Sequence, residues 1–503
     1  MPLIMDSIWN TNTNKDEEST DSMEEITFSF DSDNDDANSN NSVLVLKRTN
    51  DQISSGKTTN SENDDSHDSH DSNDSNDSSE DNDSLEEKRQ KLTVRGLSGL
   101  KNIGNTCYMN SILQCLSSLM IFSTYLRKDK YAERLKSNIL DILSDLKRKK
   151  YNLSENVRVN IHEEDVEEQM KETVTYRLAE IFEYMWKKNC TITPKTFKQV
   201  LGKKNDIFNG SDQNDSQELL SFVLDTIHEE TKTKVDVEFR DVPKSVEDFI
   251  KIKTQYRNII KSSTISIDDK KEATIRYTNY KLNNMHAVTT LKAYLAWKNY
   301  IKDSHSIITD LFTGLFYSSI KCKECNYESP SFEPFTMLSI PTTDSGNTTL
   351  DECLKNFSKV EVLDDKYNCS MCKKKVDAEK RMFIWEAPKI LIIQLKRFKN
   401  TRFSTSKTNS TVDFPIKDLN LKNNFPDFCK EDLSYDLWAI SEHRGSCNFG
   451  HYVAYAKNII NDKWYEFNDE DVVHIPNDDL CKEVITKNAY ILFYERNDNV
   501  TNE

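Results

Sequence analysis

Two short stretches of this 503-residue chain join a reactive side chain to glycine. The chain holds 10 glycines, and five of them are Gly96, Gly99, Gly104, Gly445 and Gly450. Glycine serves where the backbone must take positive φ or let another segment approach closely. The first stretch, Gly99-Leu-Lys-Asn-Ile-Gly-Asn-Thr-Cys-Tyr-Met-Asn110, sets Cys107 at the start of a run in which Ile112, Leu113, Leu116, Leu119 and Met120 recur at helical spacing. A thiol at a helix N-terminus meets unpaired N–H groups and the positive end of the helix dipole, which favour a thiolate. With a base nearby, such a thiol is a nucleophile. Alone, a packing cysteine would look the same; the second stretch separates the two readings.

That second stretch is His443-Arg-Gly-Ser-Cys-Asn-Phe-Gly-His-Tyr-Val-Ala-Tyr-Ala456, followed by Lys463-Trp-Tyr-Glu-Phe-Asn-Asp469. Two alternating runs flank residues 458–461, the signature of a hairpin. A turn centred between Ile459 and Ile460 puts His451 opposite Asn468, about 5 Å away, where an amide can orient an imidazole. A turn one residue longer puts Asp469 there, so Asn468 and Asp469 compete.

A second chemistry is independent of the first. Cys322 and Cys325 form one C-x-x-C pair and Cys369 and Cys372 another, four thiolates of the kind that hold structural zinc. The 43 residues between the pairs exceed the usual short ribbon spacing. Cys190, Cys353, Cys429, Cys447 and Cys481 show no such pairing, and Cys115 reads as core.

These groups need elements to position them. Helical patterns run over 108–120, 131–150, 166–188 and 216–230, whereas β-rich runs fill 335–340, 382–385, 389–396, 451–456, 464–467 and 489–494. Helices first and strands later predict an α+β layout with the active site between two halves. Residues 235–305 fit neither part and read as a charged, partly helical insertion.

The formal charge of −17 is concentrated in Met1–Arg95, which carries 24 acidic and 8 basic residues; the rest is nearly neutral. Within it, residues 61–84 contain only Asp, Glu, Asn, Ser and His, too polar to offset the entropy of ordering, which predicts a disordered tail over 1–95. Ile26–Phe30 and Val43–Leu46 are short apolar islands within it. The charge balance argues against a nucleic-acid binder. No run approaches the roughly 18 apolar residues of a membrane span, and the N-terminus lacks a signal-peptide core. Eleven cysteines, an odd number spread over a long chain, do not form a secreted disulfide framework. An intracellular protein, cytoplasmic or nuclear, is expected.

The two glycine-rich stretches together resemble the cysteine and histidine boxes of the ubiquitin-specific protease family of deubiquitinating cysteine peptidases. The likeness runs with gaps from about Leu97 to Arg496. It implies a papain-like fold with a helical thumb, a β-rich palm and zinc-ribbon fingers, so that 96–497 would be the catalytic domain and 498–503 a short polar tail. It implies Cys107 as nucleophile, His451 as general base, Asn468 as third member and Asn102 as the side chain completing the oxyanion hole. Gln213-Asn-Asp-Ser-Gln-Glu-Leu-Leu220 resembles a further family box, departing from it at Asn214, Ser216 and Leu219. By that likeness Gln213 lies beside the nucleophile and Asp215 faces the basic ubiquitin tail, while Gly450 flanks a channel narrow enough for a Gly-Gly terminus. The family's matching cysteine pairs imply one zinc ion on Cys322, Cys325, Cys369 and Cys372, clipping the fingers. The expected function is thiol-dependent hydrolysis after the C-terminal glycine of ubiquitin, by a monomer acting on ubiquitinated proteins. The alternative is a catalytically weak ubiquitin-binding scaffold. A zinc-ribbon nucleic-acid adaptor would need more than the short basic run Lys373–Lys375.

Overall fold

The computed structural model describes residues 94–239, 241–343, 346–400, 405–428, 431–447 and 449–497. Nearly all of the expected acidic tail, its two apolar islands, Cys429 and the polar terminus at 498–503 lie outside these residues.

Helices dominate the first half. Helix α1 (Cys107–Ser118) stops where Leu119 takes extended backbone, and α2 (Met120–Arg127) starts afresh, so the pattern through Met120 spans two helices. The single helix expected over 166–188 is also two. Thr173 accepts the Tyr176 N–H and caps α3 (Val174–Lys187), separating it from Glu163–Lys171. Asp215 caps α4 (Ser216–Thr231) in the same way, through the Gln217 N–H. The region at 235–305 forms α5 (Lys244–Lys261), α6 (Ile267–Asn283) and α7 (Met285–Ile301), closed at its base by a bridge between Thr233 and His305.

The strands that matter for the site are β1 (Gly314–Cys322), β2 (Glu328–Phe335), β3 (Leu338–Pro341), β4 (Ala378–Glu386), β5 (Ile390–Lys396), β6 (Ser434–Gly445), β7 (Gly450–Asn458), β8 (Lys463–Asn468), β9 (Asp471–Ile475) and β10 (Ala489–Arg496). The strand expected over 335–340 breaks at Thr336 and Met337, and its two parts join different sheets. The large sheet runs β9-β8-β7-β6-β10-β5-β3, with the short strand Leu419–Asn420 also on β6. Its pairs are antiparallel except β5 with β3. The smaller sheet runs β2-β1-β4 and ends on Glu361–Val362.

Alternation along the strands gives the large sheet two buried faces. Ile392, Tyr452, Ala454 and Phe493 turn toward a core shared with Leu116, Phe182 and Leu224 of the helices. Leu391, Ile393, Val453 and Leu492 turn the other way, toward Leu354, Phe414 and Leu480. Helix α1 lies between helices and sheet, and every residue of it is buried. On the smaller sheet, Ala293, Trp297 and Ile301 of α7 cover Leu315, Tyr317, Phe383 and Trp385. No helix among the described residues is long and apolar enough to cross a membrane.

Candidate active site

Cys107 is the first residue of α1, and the Asn102 amide braces the loop before it. Asn102 Oδ1 accepts the N–H groups of Gly104 (3.2 Å) and Thr106 (3.0 Å), while Gly104 and Asn105 take positive φ. Strand Gly99–Leu100 anchors the loop to the far end of the sheet, with the Leu100 N–H donating to Asp469 O at 2.7 Å. Only glycine fits at position 99, where a Cβ would stand 2.1 Å from the Glu470 carbonyl oxygen.

His451 enters from the start of β7. Ala454 lies opposite Phe467, not opposite the Tyr465 that a turn between Ile459 and Ile460 requires, so the direct opposition of His451 and Asn468 expected from the sequence is not formed. The loop is longer and the register shifts by two. An even shift keeps every side chain on its face, and the two residues meet diagonally beyond the last ladder pair. His451 Nε2 lies 2.6 Å from Asn468 Oδ1, which leaves Nδ1 for the Cys107 thiol. The hydrogen bond to Cys107 is the largest influence on the imidazole. With Asn468 and the Asp469 charge it overcomes the opposing effect of burial and raises the ring to about 9.

Asp469 does not orient the histidine. Its Oδ2 accepts the Asn102 amide at 2.9 Å, and its Oδ1 accepts the buried Asn110 amide at 2.8 Å. Sequence reasoning missed this link, which depends on the turn at Asn468–Asp471 and on Asp469 at φ 51°. One Asn102 N–H therefore points at a carboxylate, and its amide nitrogen keeps a second N–H.

Gln213 and Asp215 come from the other side of the cleft. Gln213 Oε1 accepts the Gly450 N–H at 3.3 Å, tying the histidine hairpin to the start of α4. The Asp215 carboxylate is largely engaged within the protein, by the Gln217 N–H at 2.8 Å and by the Tyr490 hydroxyl at 2.9 and 3.0 Å. Burial raises its pKa, against the lowering effect of those two donors. Tyr490, legible in sequence only as part of a core strand, is thus a partner of the cleft carboxylate.

The four paired cysteines converge away from this cleft. Their sulfurs lie within 4.8 Å of one another, with Cys322–Cys372 at 3.8 Å and Cys325–Cys369 at 3.7 Å. Tetrahedral zinc with Zn–S bonds of about 2.3 Å sets sulfurs about 3.8 Å apart. The two turns repeat one design. The Cys325 N–H points at Cys322 Sγ and the Cys372 N–H at Cys369 Sγ, and the next residue, Asn326 or Lys373, takes positive φ. Four soft sulfur donors at this spacing fit a structural metal.

Comparison with known proteins identifies the family. The family model for ubiquitin carboxyl-terminal hydrolase matches residues 98–494. A probable ubiquitin carboxyl-terminal hydrolase of Acanthamoeba polyphaga mimivirus is 32% identical over 434 residues, covering 80% of this chain and 91% of that protein. Ubiquitin carboxyl-terminal hydrolase 2 of Homo sapiens is 31% identical over 412 residues, covering 80% of this chain and 56% of its own length. The chain thus spans most of the viral relative and about half of the human one. Among solved structures, the Ubp8/Sgf11/Sus1/Sgf73 deubiquitinating module of SAGA, bound to ubiquitin aldehyde, shares the fold at a TM-score of 0.53 and 24% identity, covering 80% of this chain and 70% of that one. The chain belongs to the ubiquitin carboxyl-terminal hydrolase family, the cysteine-type deubiquitinating enzymes.

Proposed function

We propose that Cys107, His451 and Asn468 are the catalytic triad of a thiol isopeptidase that cuts after the C-terminal glycine of ubiquitin. The observation that carries this reading is His451 held between Cys107 and Asn468, with the Asn468 contact at 2.6 Å. The thiolate attacks the glycine carbonyl carbon, and the carbonyl electron pair moves to oxygen. The second N–H of Asn102, together with backbone N–H groups at the α1 terminus, stabilises that oxyanion. The imidazolium gives its proton to the departing lysine amine as the C–N bond breaks. Neutral His451 then takes a proton from water, whose attack frees the ubiquitin carboxylate and restores the thiol.

Asp215, Gln213 and Gly450 would receive the ubiquitin tail. The four cysteines would hold one zinc ion, whose part is structural, fixing the end of the smaller sheet. Residues 96–497 act as the catalytic domain, in an intracellular monomer; the ten cysteines among the described residues are all free thiols, which suits a reducing compartment.

The test is labelling by ubiquitin bearing a C-terminal thiol-reactive electrophile. Wild type should form a stable adduct at Cys107 and Cys107→Ala none. Turnover of a ubiquitin substrate with a fluorogenic C-terminal amide should be lost with the same substitution. Folded wild type that binds ubiquitin without forming the adduct would make the chain a scaffold.

A further inference from the structure

The hairpin that delivers His451 projects past the sheet that supports it. Pairing of β6 with β10 ends at Glu442 opposite Ala489, after which the His443 N–H still reaches Asn488 O at 2.9 Å. From there to Gly445 the outer edge of β6 pairs with no strand among the described residues, although His451 sits opposite Arg444 and Gly450 opposite Gly445. An open strand edge leaves carbonyl groups without donors and a hairpin tip free to twist.

One side chain fills that edge. Lys407 Nζ donates to the carbonyl oxygens of both His443 and Gly445, the latter at 3.1 Å. Alternate residues of a strand present their carbonyls to the same side, so one ammonium bridges positions 443 and 445 as a neighbouring strand would. Lys407 itself is fixed in a second hairpin, opposite Phe398 in the pair Phe398–Asn400 and Thr405–Lys407. The Phe398 ring packs edge-on against His443 at 5.1 Å, and Arg397, fully buried, ties the root of that hairpin to Ala489 O and Ser410 O. Nothing in the catalytic reading above uses Lys407.

We propose that the Lys407 ammonium is a positioning latch, holding the projecting hairpin so that His451 stays aligned with Cys107. It acts through main-chain carbonyls and touches neither substrate nor reacting atoms. The inference rests on the catalytic reading of Cys107 and His451, and it explains a charged side chain half-buried beside two carbonyl groups with no carboxylate partner among the described residues. The titratable and charged groups facing it are Arg397, Cys447, Glu442, Lys487 and the ring of His443. Burial, then Arg397 and Lys487, outweigh Cys447 and Glu442 and push the ammonium down to about 8. The latch therefore loses its charge within the range in which the imidazolium of His451, at about 9, persists.

The experiment uses the full chain, loaded with zinc, carrying Lys407→Met or Lys407→Arg. Two readouts are taken: turnover of the fluorogenic ubiquitin substrate, and the rate at which iodoacetamide alkylates Cys107 at pH 7, mapped by mass spectrometry. Methionine is unbranched and one atom shorter, and it removes the donors. Its kcat is expected to fall roughly 10- to 100-fold, with KM within about threefold of wild type, since a small misplacement of a reacting group suffices for that loss. Cys107 alkylation should fall by about tenfold or more at an unchanged melting temperature. Arginine, which keeps donors and charge, should regain both. The alkaline fall in wild-type activity should begin near 8 and move upward in the arginine variant, toward the limit near 9 set by His451. Should the methionine variant fail to fold, Lys407→Leu, which likewise has no donor, carries the same comparison. Wild-type kcat and alkylation in a folded, donor-deficient variant would overturn the latch. Wild type that alkylates at Cys107 but cleaves no ubiquitin substrate would overturn the proposed function and leave the latch standing.

Discussion

At the scale of single residues, His451 is kept charged by its neighbours and not by its own basicity. The Cys107 hydrogen bond is the largest cause, ahead of Asn468 and the charge of Asp469, and burial works against all three. In Cys107→Ala the ring should therefore titrate at least about one unit lower, seen in the pH dependence of its carbon-13 edited NMR signal. An unchanged midpoint near 9 would mean that Cys107 does not touch the ring. The same shift has a stability consequence whose sign is fixed. A histidine raised in the folded state stabilises it fully below its unfolded value of about 6.5 and loses that contribution as pH rises toward 9. Asp469 is the second test at this scale. Asparagine there would keep one acceptor oxygen and turn an NH2 group toward one of the Asn102 and Asn110 amides that now donate to separate carboxylate oxygens. Asp469→Asn, which tolerates the positive φ, should lower kcat about 10-fold or more by letting the Asn102 amide turn away from the oxyanion, with little change in substrate affinity. The sequence narrowed the partner of His451 to Asn468 or Asp469 and left the two open; a register shift of two keeps Asn468 on the His451 face, which the turn length alone could not have told. The Asp469 contacts were not legible, because they depend on a tight turn whose geometry leaves no periodic trace.

Elements position these residues by close approach, and the cleft side of β7 shows how little slack there is. A Cβ at position 450 would lie 2.0 Å from His443 Nε2, and that ring is itself packed between Phe398 and Tyr452. Gly450→Ala must therefore displace either the buried ring or the hairpin, at a cost of about 1–3 kcal/mol by overpacking. The hairpin is the softer partner, so activity should drop about 100-fold or more while far-UV circular dichroism stays unchanged; full activity would show that the hairpin accommodates the methyl group. Burial also lowers His443 to about 4, so the ring packs there as a neutral group at physiological pH. Which elements could be read from sequence follows the strength of their patterns. Helix α1 announced itself through its apolar spacing. The break at Thr173 did not, since a threonine cap without glycine or proline leaves a continuous helical pattern on both sides. The helices at 244–301 were the least legible: α6 buries Ala273 alone, so no apolar stripe distinguished it from a charged loop.

For the molecule as a whole, the large sheet is the common wall of two cores, and that makes a claim about cooperativity. Adjacent residues of β5 serve opposite cores: Ile392 packs with the helices and Ile393 with the layer that includes Leu354 and Phe414, both fully buried. Neither core can open without exposing the other face of the same strands, so the two should melt together. Ile392→Ala and Ile393→Ala should each lower stability by about 2–5 kcal/mol in urea, the range for removing such a side chain from a core, and both should move one shared transition. Two resolved transitions, each shifted by only one of the substitutions, would mean that the faces fold apart. The cysteine knuckles are the contrasting case. Their apolar surroundings are a small separate cluster of Tyr327 and Val376, flanked by Met285 and Tyr367. Chelation should therefore speed hydrogen exchange at 320–327 and 367–376 and leave the main urea midpoint where it was. A main transition weakened by several kcal/mol on chelation would instead make the metal part of the central fold. The proposed catalytic residues are carried on β7, on β8 and on α1, which packs against that wall, whereas the four cysteines belong to the small separate cluster where the proposed zinc would act. Mild chelation should accordingly weaken grip on folded ubiquitin, read as a rise in KM, and leave Cys107 alkylation by iodoacetamide unchanged.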